Sequence, residues 1–152
     1  MTAEVGDTAP EFRLPSTGPR PRLVRLSEVV ETGTPLLVFP ATDETTLSLA
    51  SVDWFGLVDG LRPLFVVGAA WAGRPRWEAT DTPVLADVDD RTASAYGVDA
   101  TRSCHAFLVD RTRTVRGRWR AQTVADLDFP ALLEAAKRQT TTRHRQPSEL
   151  SP

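Results

Sequence analysis

The most reactive side chain this sequence offers is a single thiol. Cys104 is the only cysteine among 152 residues. A thiolate is both a nucleophile and a redox centre, but a thiol ionises near neutral pH only beside a cation or a helix N-terminus. His105 follows it directly. Residues here read as a strand, on which successive side chains take opposite faces, so His105 points away from the sulfur and is no base for it. One cysteine forms no internal disulfide and no structural zinc site, and neither a metal nor a cofactor is expected. Trp71 and Trp77 flank Ala72-Gly73-Arg74-Pro75-Arg76, an aromatic and basic loop. Its composition suits a recognition surface, although rings packed under arginine stems are the commoner use of such residues. Arg111, Arg113, Arg116, Arg118 and Arg120 form a local basic ribbon with no stacking platform beside it. A solvated hairpin face is expected there rather than nucleic-acid binding.

These residues need elements to position them. Glu11–Leu14 and Leu23–Leu26 are short extended pieces separated by a turn-rich stretch, and they predict an N-terminal β-hairpin. Ser27–Glu31 suits a short helical turn ended by Gly33. Leu36–Phe39, bounded by Pro35 and Pro40, and Leu64–Val67 are continuous apolar runs, the pattern of strands buried on both faces. Leu47, Trp54, Phe55 and Val58 share one face of a helix spanning Thr45–Gly60. Arg74–Ala79 reads as a short irregular or helical piece. Pro83–Ala86 is a third strand, and Asp89 or Asp90 can cap a helix that ends at Gly97. Ala106–Val109 is a fourth strand. Asp110–Arg113 turns the chain back into an antiparallel Thr114–Trp119. Asp128 caps a last helix with Phe129, Leu132, Leu133 and Ala136 on its apolar face.

From residue 139 onward the chain is polar, with three consecutive threonines and two prolines. Too little apolar surface is available to order it, so residues 1–138 are expected to form one domain and residues 139–152 a flexible tail. The order of elements is that of an α/β thioredoxin-like fold, a central mixed β-sheet flanked by helices and preceded by the hairpin. The pattern alone leaves other small α/β folds open.

The composition, with 41% hydrophobic and 25% charged residues, is that of a globular protein. A net charge of −2 leaves no basic excess to release counterions from a polyanion, so no nucleic-acid partner is expected. Met1–Pro10 holds Glu4 and Asp7 and lacks an apolar run, which argues against a secretory signal. The longest apolar stretches are far shorter than a bilayer requires, so no membrane association is expected. A lone cysteine weakly favours a reducing compartment, and the cytoplasm is the expected location.

Three blocks resemble one family. Val5-Gly6-Asp7-Thr8-Ala9-Pro10-Glu11-Phe12 is similar to the Gly-Asp-x-Ala-Pro-x-Phe opening of peroxiredoxins, the alkyl hydroperoxide reductase and thiol-specific antioxidant (redoxin) group. Leu36–Pro40 resembles the first core strand of that family. Tyr96-Gly97-Val98 followed by Phe107-Leu108-Val109-Asp110 and Val115-Arg116 resembles its Tyr-Gly-Val and Phe-x-x-Asp-x-x-x-x-Val-Arg block. The resemblance runs from about Val5 to Ala136 and implies a thioredoxin fold with a thiol peroxidase mechanism, an oxidoreductase activity.

The family's active segment reads Pro-x-x-x-Thr-x-x-Cys, with the cysteine in the first turn of a helix. Counted from Pro40, Glu44 takes the threonine position and Leu47 the cysteine position. A one-residue insertion would instead align Thr45 and Ser48. Neither alignment supplies a thiol, and a serine hydroxyl without a base does not replace one. Asp43 and Glu44 add negative charge where the family stabilises an anionic sulfur, although acids also suit a helix N-terminus. Counted back from Asp110, Cys104 takes the place of a family arginine, facing the start of that helix. Counted forward from Tyr96, Arg102 takes it, so an insertion falls in Asp99–Ser103.

Two readings follow. In the first, the chain is a peroxiredoxin-like protein without the peroxidatic cysteine and is not an enzyme. Pro40, Glu44, Thr45, Leu47 and Ser48 would then line a vestigial pocket, and a binding or regulatory role would involve a protein partner or a homodimer. In the second, Cys104, with Arg102 favouring its thiolate, runs a thiol-dependent oxidoreductase or peroxidase reaction. The first is preferred because a lone cysteine is more often a small buried hydrophobe.

Overall fold

The computed structural model describes residues 3–17, 20–40, 58–68, 83–98, 103–122 and 126–149, with side chains described as far as residue 139. Two strands, β1 (Arg13–Pro15) and β2 (Leu23–Arg25), form the expected antiparallel hairpin. Helix α1 (Leu26–Thr32) follows and closes at Gly33. The main sheet contains β3 (Thr34–Phe39), β4 (Leu61–Gly68), β5 (Val84–Asp87), β6 (Cys104–Val109) and β7 (Val115–Ala121), in the order β5-β4-β3-β6-β7. Helix α2 (Arg91–Ala95) lies between β5 and β6, and α3 (Phe129–Glu149) ends the chain. Strands β3, β4 and β5 are parallel, whereas β6 and β7 run antiparallel to their neighbours.

The apolar runs form the middle of the sheet because both of their faces are covered. Leu36, Val38, Ala106 and Leu108 face a core layer that includes Leu132 and Ala136 of α3. The alternate residues Leu37, Phe39, Phe107 and Val109 face a second layer with Leu26 and Val30 of α1, Ala93 of α2, and Ala9 and Phe12 of the N-terminal segment. Each strand thus contributes to both layers with period two. Two prolines inside these strands are placed where the missing N–H does no harm. Pro35 precedes the β3–β6 ladder, which begins at Leu36, and Pro63 precedes the β4–β5 ladder, which begins at Phe65.

The capping of α2 differs from expectation. Asp90 has φ 58° and makes no side-chain cap. Its neighbour Asp89 accepts the Arg91 N–H at 3.3 Å and pairs with the Arg91 side chain at 3.1 Å, but reaches no later amide of the helix. Asp87, the buried last residue of β5, accepts the N–H groups of Thr92 (3.2 Å) and Ala93 (2.9 Å) instead. Asp90 takes the left-handed conformation rather than the extended one of an ordinary N-cap, so the cap comes from Asp87 instead. Gly97 has φ 71° just past the helix, as its position in the sequence requires. Asp128 accepts the Ala131 N–H at 3.2 Å and caps α3. Helix α3 runs on to Glu149, beyond the boundary at residue 138 expected from composition. The sequence-predicted elements at Thr45–Gly60 and Arg74–Ala79 fall, except for the last turn at 58–60, outside the described residues.

Candidate functional site

The register of β3 against β6 sets the site. Phe39 pairs with His105, which brings Pro40, the residue after β3, beside Cys104, the first residue of β6. The thiol donates to the Pro40 carbonyl oxygen at 3.0 Å, and the Gln122 carbonyl lies at 3.9 Å. Cys104 is 0% exposed and belongs to the core layer under α3. A fully buried sulfur in an apolar layer, donating its S–H to a carbonyl, favours the neutral thiol.

His105 takes the opposite face, as the strand period requires. Its Nε2 lies 3.1 Å from the Ser103 hydroxyl, and its ring lies 6.4 Å from that of Phe107. Both Ser103 and His105 are buried. The pair has nucleophile-and-base spacing, but it is sealed within the sheet layer, where it satisfies two polar groups. Sequence reasoning missed it, although residues at i and i+2 on a strand share a face and could have suggested it.

Pro40 and Cys104 are therefore brought together. Arg102, Asp43, Glu44, Thr45, Leu47 and Ser48 lie outside the described residues, as does the Trp71–Trp77 loop. Among the described residues, no cluster of three or more potential metal ligands occurs. None of their helices is long and apolar enough to cross a membrane.

The residues behind the family resemblance have clear structural roles. Asp110 is 9% exposed and accepts from the Thr112 N–H (2.8 Å), the Thr112 hydroxyl (2.6 Å), the Thr114 N–H (2.9 Å) and Arg116 Nε (2.7 Å). Burial pushes its pKa up, but these donors outweigh burial and hold it below its ordinary value. Asp110 thus builds the β6–β7 turn. Glu11 behaves likewise: burial pushes it up, and bonds from Ser27 and Phe12 with the charge of Arg113 bring it below its ordinary value. Gly6, with φ 98°, lets the N-terminal segment turn along Val115.

No protein-family model and no curated protein sequence matches the chain. Solved structures do. A protein described as thiol:disulfide interchange protein DsbE from Chlorobium tepidum superposes with TM-score 0.64 at 22% identity, over 93% of this chain and 98% of that one. Peroxidoxin BcpB from Mycobacterium tuberculosis gives 0.69 at 20% identity, over 89% and 97%. AhpC from Mycobacterium tuberculosis gives 0.68 at 15% identity, over 90% and 97%. The chain has a thioredoxin-like fold. Its structural neighbours include a thiol:disulfide interchange protein and peroxiredoxins, the latter being the family its sequence blocks resemble.

Proposed function

We propose that this chain is a peroxiredoxin-like protein of the redoxin lineage that keeps the scaffold without the thiol chemistry, and that it acts as a non-catalytic binding or regulatory homologue. The observation that carries this reading is the state of the sole thiol. Cys104 is fully buried, and its S–H is donated to Pro40. The sequence supports it further, since Leu47 and Ser48 stand at the two candidate positions for a peroxidatic cysteine. A protein partner or a second copy of the chain would be its ligand, in a reducing compartment such as the cytoplasm.

One observation favours a second reading, a thiol-dependent oxidoreductase or peroxidase acting through Cys104 with Arg102. The sulfur lies 3.0 Å from Pro40, at the strand end where the family resemblance puts its active segment. The rate of oxidation of Cys104 by hydrogen peroxide separates the two. Oxidation slower in folded than in unfolded protein supports the non-catalytic reading. Faster oxidation in the folded state replaces it with the second.

A further inference from the structure

The N-terminal segment Ala3–Phe12 crosses the second core layer as a strap. Gly6 N–H donates to the Val115 carbonyl (2.8 Å), Val115 N–H to that of Asp7 (2.9 Å), and Ala9 N–H to that of Arg113 (2.6 Å). Ala3, Ala9 and Phe12 are buried beneath it in the layer that holds Tyr96, Phe107 and Val115. Acidic side chains tie the strap down along its length. Glu4 pairs with Arg118 at 3.0 Å, whereas Asp7 accepts the Glu4 N–H at 3.0 Å within the strap itself. Glu11 accepts the N–H groups of Phe12 (3.0 Å) and Ser27 (3.1 Å) and lies 3.7 Å from Arg113. The turn on which the strap rests is itself held by Asp110.

We propose that the strap is an acid-released clasp: it lifts from the β6–β7 turn as Glu11 and Asp110 take up protons, while the central strands stay folded. The charged and titratable groups facing these two carboxylates are Arg113 and the Tyr96 phenol at Glu11, and Arg116 at Asp110. Glu11 and Asp110 both titrate below their ordinary values when docked. Their contribution is therefore present above the carboxylate range of the free chain and lost as pH falls through the docked values. Strands β3 and β4 contain no carboxylate at all, so the middle of the sheet has no such tie to lose.

Hydrogen exchange on the full chain between about pH 7 and about pH 3, corrected for intrinsic exchange, tests the clasp. The amides of Gly6, Ala9 and Val115 are expected to lose at least about tenfold more protection than those of Leu37 and Phe65. Glu11→Gln should lower Ala9 protection at neutral pH and flatten its response to acid. If that variant does not fold, Glu11→Ala removes the same titrating carboxylate and its bonds to Ser27 and Phe12 and is read the same way. The clasp is overturned if strap and central strands lose protection together at every pH. It is also overturned if the substitution leaves the acid response of the strap unchanged.

Discussion

The phenol of Tyr96 donates a 2.7 Å hydrogen bond to the carbonyl of Pro10, a residue 86 positions away in the chain. Pro10 belongs to one block of the family resemblance and Tyr96 to another. The later part of the Tyr96 block meets the first block again through Gly6 with Val115, and the turn between its strands does so through Arg113 with Glu11. The recognisable motifs therefore hold one another. Asp110 anchors them at one end of β6, and Cys104 stands at the other, about 20 Å away at the usual rise of a strand. The resemblance accordingly reads the scaffold, and the end of the sheet that would carry chemistry is where the chain departs from the family pattern.

Removing the phenol oxygen isolates that joint. Tyr96→Phe keeps the ring against Phe39 (5.5 Å) and Phe107 (5.1 Å) and deletes only the bond to Pro10. A loss of about 1 kcal/mol is expected, seen as a fall in Tm of about 3 °C for a domain this size.

The same residue gives a titration with a clean signal, because Tyr96 is the only tyrosine. Burial first, and then the charge of Glu11, push its ionisation well above the ordinary value of 10. Its contribution is present below pH 10 and lost as pH rises toward the native value. Tyrosinate absorbance should therefore appear only with unfolding, and its midpoint should coincide with loss of the far-ultraviolet circular dichroism. Ionisation of the folded protein near pH 10 would show that the phenol is not enclosed.

Asp110→Asn keeps the shape and removes the charge that Arg116 and the turn amides share. A loss of about 2 kcal/mol is expected at neutral pH, in the range for hydrogen bonds to a charged group. The difference from wild type should shrink as pH falls through the carboxylate range, because acid removes the same charge from Asp110. Denaturant midpoints at several pH values check the convergence.

The strands of the main sheet were legible because runs apolar on both faces have few other uses. Leu36–Phe39, Leu64–Val67 and Phe107–Val109 are the buried centre, the first two parallel and the third antiparallel to Leu36–Phe39. The separation of Cys104 from His105 followed from the same period of two. The contact of Cys104 with Pro40 did not, since it depends on the pairing of Phe39 with His105, and a slip of one residue would move it to the other face. The cap of α2 was misread for a related reason. Asp89 and Asp90 are adjacent to the helix in sequence, but Asp87 reaches it through space from the end of a strand. Glu11 was illegible too, because its partners Ser27 and Arg113 come from two other elements.

Restoring a cysteine at the family's position is expected to give little. Leu47→Cys or Ser48→Cys supplies the sulfur, but Asp43 and Glu44 remain beside it in sequence and oppose a stabilised thiolate. Peroxide consumption with a small-molecule reductant should stay within about tenfold of the wild-type background, which corresponds to less than about 1.4 kcal/mol of transition-state stabilisation. Turnover far above that range in either variant would show that only the sulfur was missing.

Cys104 itself decides whether the chain keeps any thiol chemistry. The sulfur is fully buried in the layer under α3 and bonded to Pro40, so reaching it requires the structure to open. Alkylation by a small reagent therefore has to wait for that opening, whatever the pH. In unfolded protein the rate should rise with pH along the ordinary thiol titration near 8.5. In folded protein it should be at least about a hundredfold slower and follow the opening equilibrium, since a buried site exchanges only through local unfolding. Mild denaturant should raise the folded rate before the global transition if the strand end opens locally, and only with it if the whole sheet must open. A folded rate above the unfolded one at neutral pH would mean an accessible, activated thiolate. The enclosure by Pro40 would then be a resting state of an enzyme rather than the permanent condition of a silent homologue.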